Sequence, residues 1–210
     1  MGDAKRRKTQ IQAQHGQLSA AVEKVSFALR RLATAASGNL GGDCYLHAEL
    51  GKALLADYGF SFKTVLGFAA WRVGPGDGDV LAHTAAVQGY LPPGALGFPF
   101  HAWLESGDWL VDFTTYQFAR KGRDLDAADG GHTQVNWRPD YLLIQRKDLK
   151  SYREVAQAPD APMAYYEVRP ELERPIREAG GLAPEDLATA RLILLNPDMR
   201  VMGPNDIDTD

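Results

Sequence analysis

Cysteine is all but missing: Cys44 is the one thiol in 210 residues. A lone cysteine excludes an internal disulfide and fits a reducing compartment. Long hydrophobic runs are missing too. Nowhere do about 18 apolar residues follow one another, so the sequence predicts no membrane-spanning helix and no membrane partner. There is no excess of positive charge: 23 Lys and Arg stand against 27 Asp and Glu, a net −4. That balance argues against nucleic acid as a partner. The basic start, Lys5 to Lys8, leads into no apolar signal-peptide core, and Arg6 stands where a myristoylation signal needs Ser or Thr. A cytoplasmic protein is expected. No internal repeat and no low-complexity segment occurs. What is there is ordinary for a globular chain, 45% hydrophobic and 24% charged, and suffices for a single domain over residues 1–210.

The stretch Gly41-Gly42-Asp43-Cys44-Tyr45-Leu46-His47-Ala48 holds that one cysteine. Upstream, Ser37-Gly38-Asn39-Leu40-Gly41-Gly42 breaks regular structure and reads as loop. Downstream, Leu46, Leu50 and Leu54 recur four apart, which predicts a helix with an inward face. Asp43 is the expected N-cap. Cys44 then lies in the first turn, where the positive helix end favours a thiolate, the nucleophilic form. Taken alone, a cysteine most often just fills space in a core.

A second stretch changes that weighting. Phe100-His101-Ala102-Trp103-Leu104-Glu105-Ser106-Gly107-Asp108-Trp109-Leu110-Val111-Asp112 reads as two strands around a turn at Ser106-Gly107. With Glu105 facing Asp108, His101 falls opposite Asp112. Cross-strand partners share a face with β-carbons about 5 Å apart, so the turn itself would set an imidazole beside a carboxylate. A three-residue loop would put them on opposite faces.

The rest of the chain frames these stretches. Leu18, Val22, Val25, Leu29 and Leu32 make one apolar stripe, which predicts a helix over about 11–36 packed on the core; as an open seam the same stripe would support a homodimer. Residues 62–73 and 80–91 read as strands. Gly74 to Asp79 looks calcium-like but lacks the ligand spacing of such a loop, and a plain turn is expected. Residues 119–139 are polar and read as a long surface loop. Strands are expected at 141–144 and 164–168. A helix opens at Pro184 and stops at Asn196-Pro197. The last residues, from Gly203, form an acidic tail. The fold class is α+β, with residues 1–36 an amphipathic helix with a basic tip, 37–117 a catalytic core and 118–210 an extension completing the fold.

Gly42-Asp43-Cys44, His101-Ala-Trp-Leu-Glu105 and Val111-Asp112 resemble motifs of the papain-like superfamily, in its transglutaminase-like and arylamine-acetyltransferase-like branch. The resemblance covers roughly residues 38–117, and is similar to an uncharacterised bacterial family of that fold. It implies helices packed on an antiparallel sheet, with Cys44 as nucleophile, His101 as base and Asp112 as orienter. It assigns no role to Trp103 or Glu105. Papain-type enzymes place a glutamine upstream of the nucleophile; none stands at that place here, the nearest being Gln17.

The residue chemistry suits those roles. An imidazole stabilises the thiolate and returns its proton to the leaving group, while a carboxylate holds the imidazole tautomer. Oxyanion donors are expected from the Cys44 amide, from Asn39 and from Gln117. His47, one turn past Cys44, is a minor alternative partner. His83 and His132 lack metal-ligand spacing with Cys44 or Asp112, so neither metal nor cofactor is expected. The tryptophans 71, 103, 109 and 137 are expected as core or cleft wall. The expected function is cysteine-dependent acyl transfer through a Cys44 thioester, as an amidase, peptidase or amide-forming acyltransferase, on a small-molecule or peptide amide or thioester. The alternative is an inactive papain-like fold that serves as a binding module through its N-terminal helix.

Overall fold

The computed structural model describes residues 2–40, 42–85, 99–158 and 162–206. Its first helix, α1 (Gly2–Ala36), is longer than the apolar stripe required. Leu18, Val22, Val25 and Leu29 of the stripe are buried. They pack inside the chain, on α2 (Cys44–Asp57) and α6 (Pro184–Leu195), so the stripe is not an open seam. Between α2 and α6 lie α3 (Phe118–Asp129), α4 (Tyr152–Gln157) and α5 (Glu173–Ala179).

The described strands form one antiparallel sheet: β1 (Lys63–Arg72), β2 (Val80–His83), β3 (His101–Ser106), β4 (Trp109–Asp112), β5 (Leu142–Gln145) and β6 (Met163–Val168). β1 pairs with three of them. Gly67 faces His101 on one edge and Val168 on the other, and Trp71 faces Leu81 and Ala164. β2 and β3 therefore lie end to end along one edge of β1, and β6 takes the other. Beyond β3 come β4 and then β5. The part of the predicted second strand beyond His83, and the Pro92–Phe98 loop, fall largely on residues 86–98, outside the described residues.

Side chains alternate across the sheet, as the strand period requires. Leu66, Ala102, Leu104 and Val111 meet α1, α2 and α6 in one core. Val65, Trp103 and Leu110 lie on the opposite face, as do Ala69, Trp71 and Val73, which pack with Phe118 of α3. The fold is thus α+β, with helices on both faces of an antiparallel sheet.

Residues 119–139 are not one long loop. Residues 118–129 are α3, and only 130–139 lacks regular structure. The helix has no long apolar stripe to reveal it: its inward face is Phe118, Lys121 and Gly122, with Leu125 partly buried. It ends at Gly130, whose φ of 77° is the left-handed closing conformation that favours glycine. Asp126 then fixes the following turn by accepting from the backbone and hydroxyl of Thr133. α4 is set by a reciprocal cap between Ser151 and Glu154. In the glycine-rich turn, Asp79 accepts from the Gly76 and Gln134 amides, at 2.7 Å each, so that carboxylate shapes the loop itself. Among the described residues no helix is long and apolar enough to cross a membrane.

Candidate active site

The β3–β4 hairpin carries the first half of the site. Its turn is Gly107-Asp108, one residue later than the sequence suggests. Ser106 pairs with Trp109, Glu105 with Leu110 and Leu104 with Val111. Gly107 opens the turn at φ 55°, which favours glycine. The register is therefore two residues away from the expected one, and His101 is not directly opposite Asp112. An even shift keeps every side chain on its face, so the two residues still meet diagonally. His101 Nε2 donates to Asp112 Oδ2 at 2.8 Å, and both residues are buried.

Asp112 is saturated with donors. Its Oδ1 accepts from the Thr114 amide at 2.8 Å and the Thr114 hydroxyl at 2.9 Å. Its Oδ2 accepts also from the Tyr166 hydroxyl, at 2.7 Å. Burial pushes the carboxyl up, but the His101 charge, the His101 hydrogen bond and Lys121 outweigh it and hold Asp112 well below the usual range. His101 moves the other way. Burial pushes it down, while Asp112 and then Cys44 outweigh that and raise it, which favours imidazolium.

Cys44 enters from α2. It is the first residue of that helix and is buried. The Cys44 thiol is near enough to His101 to act on the ring. Because Nε2 is committed to Asp112, Nδ1 is the ring nitrogen left to face the thiol; it is buried and has no hydrogen-bond partner among the described residues. The Cys44 amide is in the first turn, where backbone N–H groups have no acceptor within the helix.

No protein-family model matches the chain, and no curated protein matches it. A solved crystal structure, described as that of a genomics target, is similar at a TM-score of 0.48 with 18% sequence identity, covering 84% of this chain and 78% of that one.

Asp43 does not cap α2 with its side chain. Its carboxylate accepts instead from the Ser37 hydroxyl at 2.8 Å and the Gln117 amide at 3.1 Å. Gln117 is thereby committed: the same Nε2 also donates to the Tyr116 hydroxyl at 2.9 Å. It is buried beneath the start of α2, held by Asp43 and Tyr116, and in this arrangement its amide group is not free as an oxyanion donor. Asn39 is exposed on the loop, with its backbone amide on the Ser37 hydroxyl. His47 belongs to the same buried ring. Its Nδ1 donates to the Asp43 carbonyl at 3.0 Å, and its Nε2 accepts from Tyr116 at 2.9 Å. Burial pushes His47 down, so it stays neutral and supports the loop that delivers Cys44.

Trp103 and Glu105 also acquire a role. The Trp103 indole donates to Glu105 at 3.0 Å, and Glu105, itself buried, pairs with Arg146. They brace the strand that carries His101.

Four participants have no local sequence signal. His83 stacks on His101, with ring centroids 5.6 Å apart, because β2 and β3 abut on one edge of β1. Burial, Lys121 and His101 together hold His83 well below its ordinary value. Trp71 meets His101 edge-on at 4.8 Å and donates to the Tyr166 hydroxyl at 2.8 Å. Tyr166 passes that contact to Asp112. Lys121 of α3 is a buried cation 5.3 Å above the Trp71 ring, with its ammonium 3.4 Å from the Thr114 hydroxyl. Among the described residues no three His, Cys, Asp or Glu side chains converge to hold an ion.

Proposed function

We propose that this chain is a cysteine-dependent acyl-transfer enzyme of the papain-like, transglutaminase-like kind, with Cys44, His101 and Asp112 as its triad. The observation that carries the reading is the buried His101–Asp112 hydrogen bond of 2.8 Å beside a thiol at a helix start. The groups suit one reaction sequence. The Cys44 thiolate attacks the carbonyl carbon of an amide or thioester, and the carbonyl π electrons move to oxygen. The Cys44 backbone amide is the candidate donor to that oxyanion. Collapse re-forms the carbonyl and expels the leaving group, which takes the proton from His101 Nδ1. The remaining thioester is then attacked by water or an amine, whose proton His101 accepts while the Cys44 thiolate leaves. Asp112 holds Nε2–H throughout and stabilises the imidazolium. An upward-shifted His101 fits an imidazolium resting partner. A binding module built on the stripe of α1 has less support, because that stripe is consumed in the core.

The test is the alkylation of Cys44 by iodoacetamide across pH, in wild type and in His101→Ala. Rapid reaction near neutral pH, slowed at least about tenfold by the substitution, is expected for an imidazole-activated thiol. Equal, slow reaction in both proteins would reject the assignment.

A further inference from the structure

A cavity of about 600 Å³ opens beside the candidate pair, within the range of small-ligand sites. Leu29 and Leu32 of α1, Leu46 and Leu50 of α2, and Ile176 and Leu182 of the C-terminal part form its walls. Asp43 and Tyr45, the residues either side of Cys44, and Phe100, the residue before His101, also line it. The cavity thus borders the chain neighbours of both groups, while Cys44 and His101 themselves lie behind its wall.

Its charge is one-sided. The acids Asp43, Glu49 and Asp186 line it, and no Lys or Arg does so among the described residues. Glu49 is partly neutralised by Lys52 at 2.6 Å, whereas Asp43 is held by neutral donors, Ser37 and Gln117. Arg177 acts on Tyr45 but is itself solvent-exposed, where screening weakens it. An anionic ligand entering here would find repulsion and no built partner, and desolvating it would cost further.

We propose that the cavity receives the uncharged apolar group next to the scissile bond of a neutral amide, a hydrophobic side chain or acyl chain, and disfavours polyanionic acyl donors of the coenzyme A type. The inference rests on the acyl-transfer reading above and selects among its substrates.

Two measurements separate the inference from that reading. The first is equilibrium binding of N-phenyl-1-naphthylamine, a neutral apolar fluorophore, to wild type, Ala36→Trp and Leu182→Trp. Ala36 lines the cavity and is exposed, and Leu182 is only partly buried, so either indole can occupy the space without opening the core. Binding in wild type that each variant weakens at least about tenfold is expected from the apolar area displaced. No binding to wild type, or binding to both variants as tight as to wild type, overturns the site. The second is the rate of Cys44 alkylation by N-hexyl iodoacetamide, iodoacetamide and iodoacetate. The hexyl reagent should outpace iodoacetamide at least about tenfold, with iodoacetate slowest, and the hexyl advantage should collapse in Ala36→Trp. A fast iodoacetamide reaction with no hexyl advantage overturns the inference and leaves the triad standing. Slow reaction with all three reagents overturns the triad and, with it, the substrate assignment, whatever the fluorophore shows.

Discussion

Tyr166 and His101 share one oxygen of Asp112: the phenol donates to Oδ2 at 2.7 Å and the imidazole at 2.8 Å. The phenol also accepts from the Trp71 indole. Burial and the nearby Asp112 push Tyr166 well above its ordinary value, so it remains a protonated donor. β6 thereby fixes the carboxylate rotamer from the far edge of β1.

Tyr166→Phe removes that donor and leaves the buried Trp71 N–H without its acceptor. An unsatisfied buried donor costs about 1–3 kcal/mol, and urea unfolding should register a loss of that size. Cys44 alkylation should slow only a few-fold, because His101 keeps its own bond to Oδ2. A neutral effect on stability would show that the phenol is not needed to hold the carboxylate.

Asp112→Asn should be costly in two ways. The amide nitrogen must face a donor, either Thr114 or the Tyr166–His101 pair, so stability should fall by about 3 kcal/mol at neutral pH, as for other broken buried pairs. The pH dependence has two limits. Asp112 is held below its unfolded value of about 3.9, so its contribution is present above that value and fades as pH falls through and below it. His101 is raised above its unfolded value of about 6.5, so its contribution is complete below that value and fades as pH rises through the folded value. The stability gap between wild type and Asp112→Asn should therefore be widest between these limits and narrow on both sides. A gap independent of pH would show that neither ionisation is linked to folding.

Lys121 is placed to keep His83 neutral. Lys121, His101 and Asp112 are the charged or titratable groups acting on the His83 ring, and the first two oppose its protonation. In wild type, imidazole NMR signals of His83 should stay in the neutral form across about pH 5 to 8. Lys121→Met should move its titration upward, because one of the positive charges that oppose protonation is gone, while Lys121→Arg should leave it in place. An unchanged His83 in the Met variant would reduce Lys121 to a packing role over Trp71.

How much of this could be read from the sequence depends on distance along the chain. The His101–Asp112 encounter was legible because it is a property of one hairpin, and its parity tolerates a two-residue error in register. Cys44 at a helix start followed from the glycine-rich loop and the leucine spacing after it. Tyr166 and Lys121 were not legible. Tyr166 reaches Asp112 because β6 pairs with the opposite edge of β1 from β3, and no local pattern encodes which edge a strand joins. Lys121 sits on a helix whose inward face mixes Phe118, a lysine and a glycine, so apolar periodicity gives no sign of it. Gln117 was visible as a polar residue near the site, but its commitment to Asp43 and Tyr116 depends on a contact 74 residues away.

Gly51 links the fold to the chemistry. It lies on α2 two turns after Cys44, where the helix crosses the sheet. A Cβ there would stand 2.6 Å from Phe113 Cδ2 and 3.5 Å from Leu104 Cδ1, one of which follows β4 and the other belongs to β3. Phe113 is buried and is the neighbour of Asp112, so it has little room to yield. Gly51→Ala gains helix propensity of about 1 kcal/mol but must push α2 from the sheet or displace Phe113, an overpacking cost of about 1–3 kcal/mol. The net expectation is a modest loss of stability. The larger effect should fall on Cys44 alkylation, because α2 carries Cys44 while β3 carries His101, and moving one layer separates them. A small displacement of reacting groups can cost about a hundredfold in rate. If Gly51→Ala unfolds at the wild-type urea concentration and Cys44 reacts at the wild-type rate, close packing of α2 on the sheet is not what holds the thiol against His101.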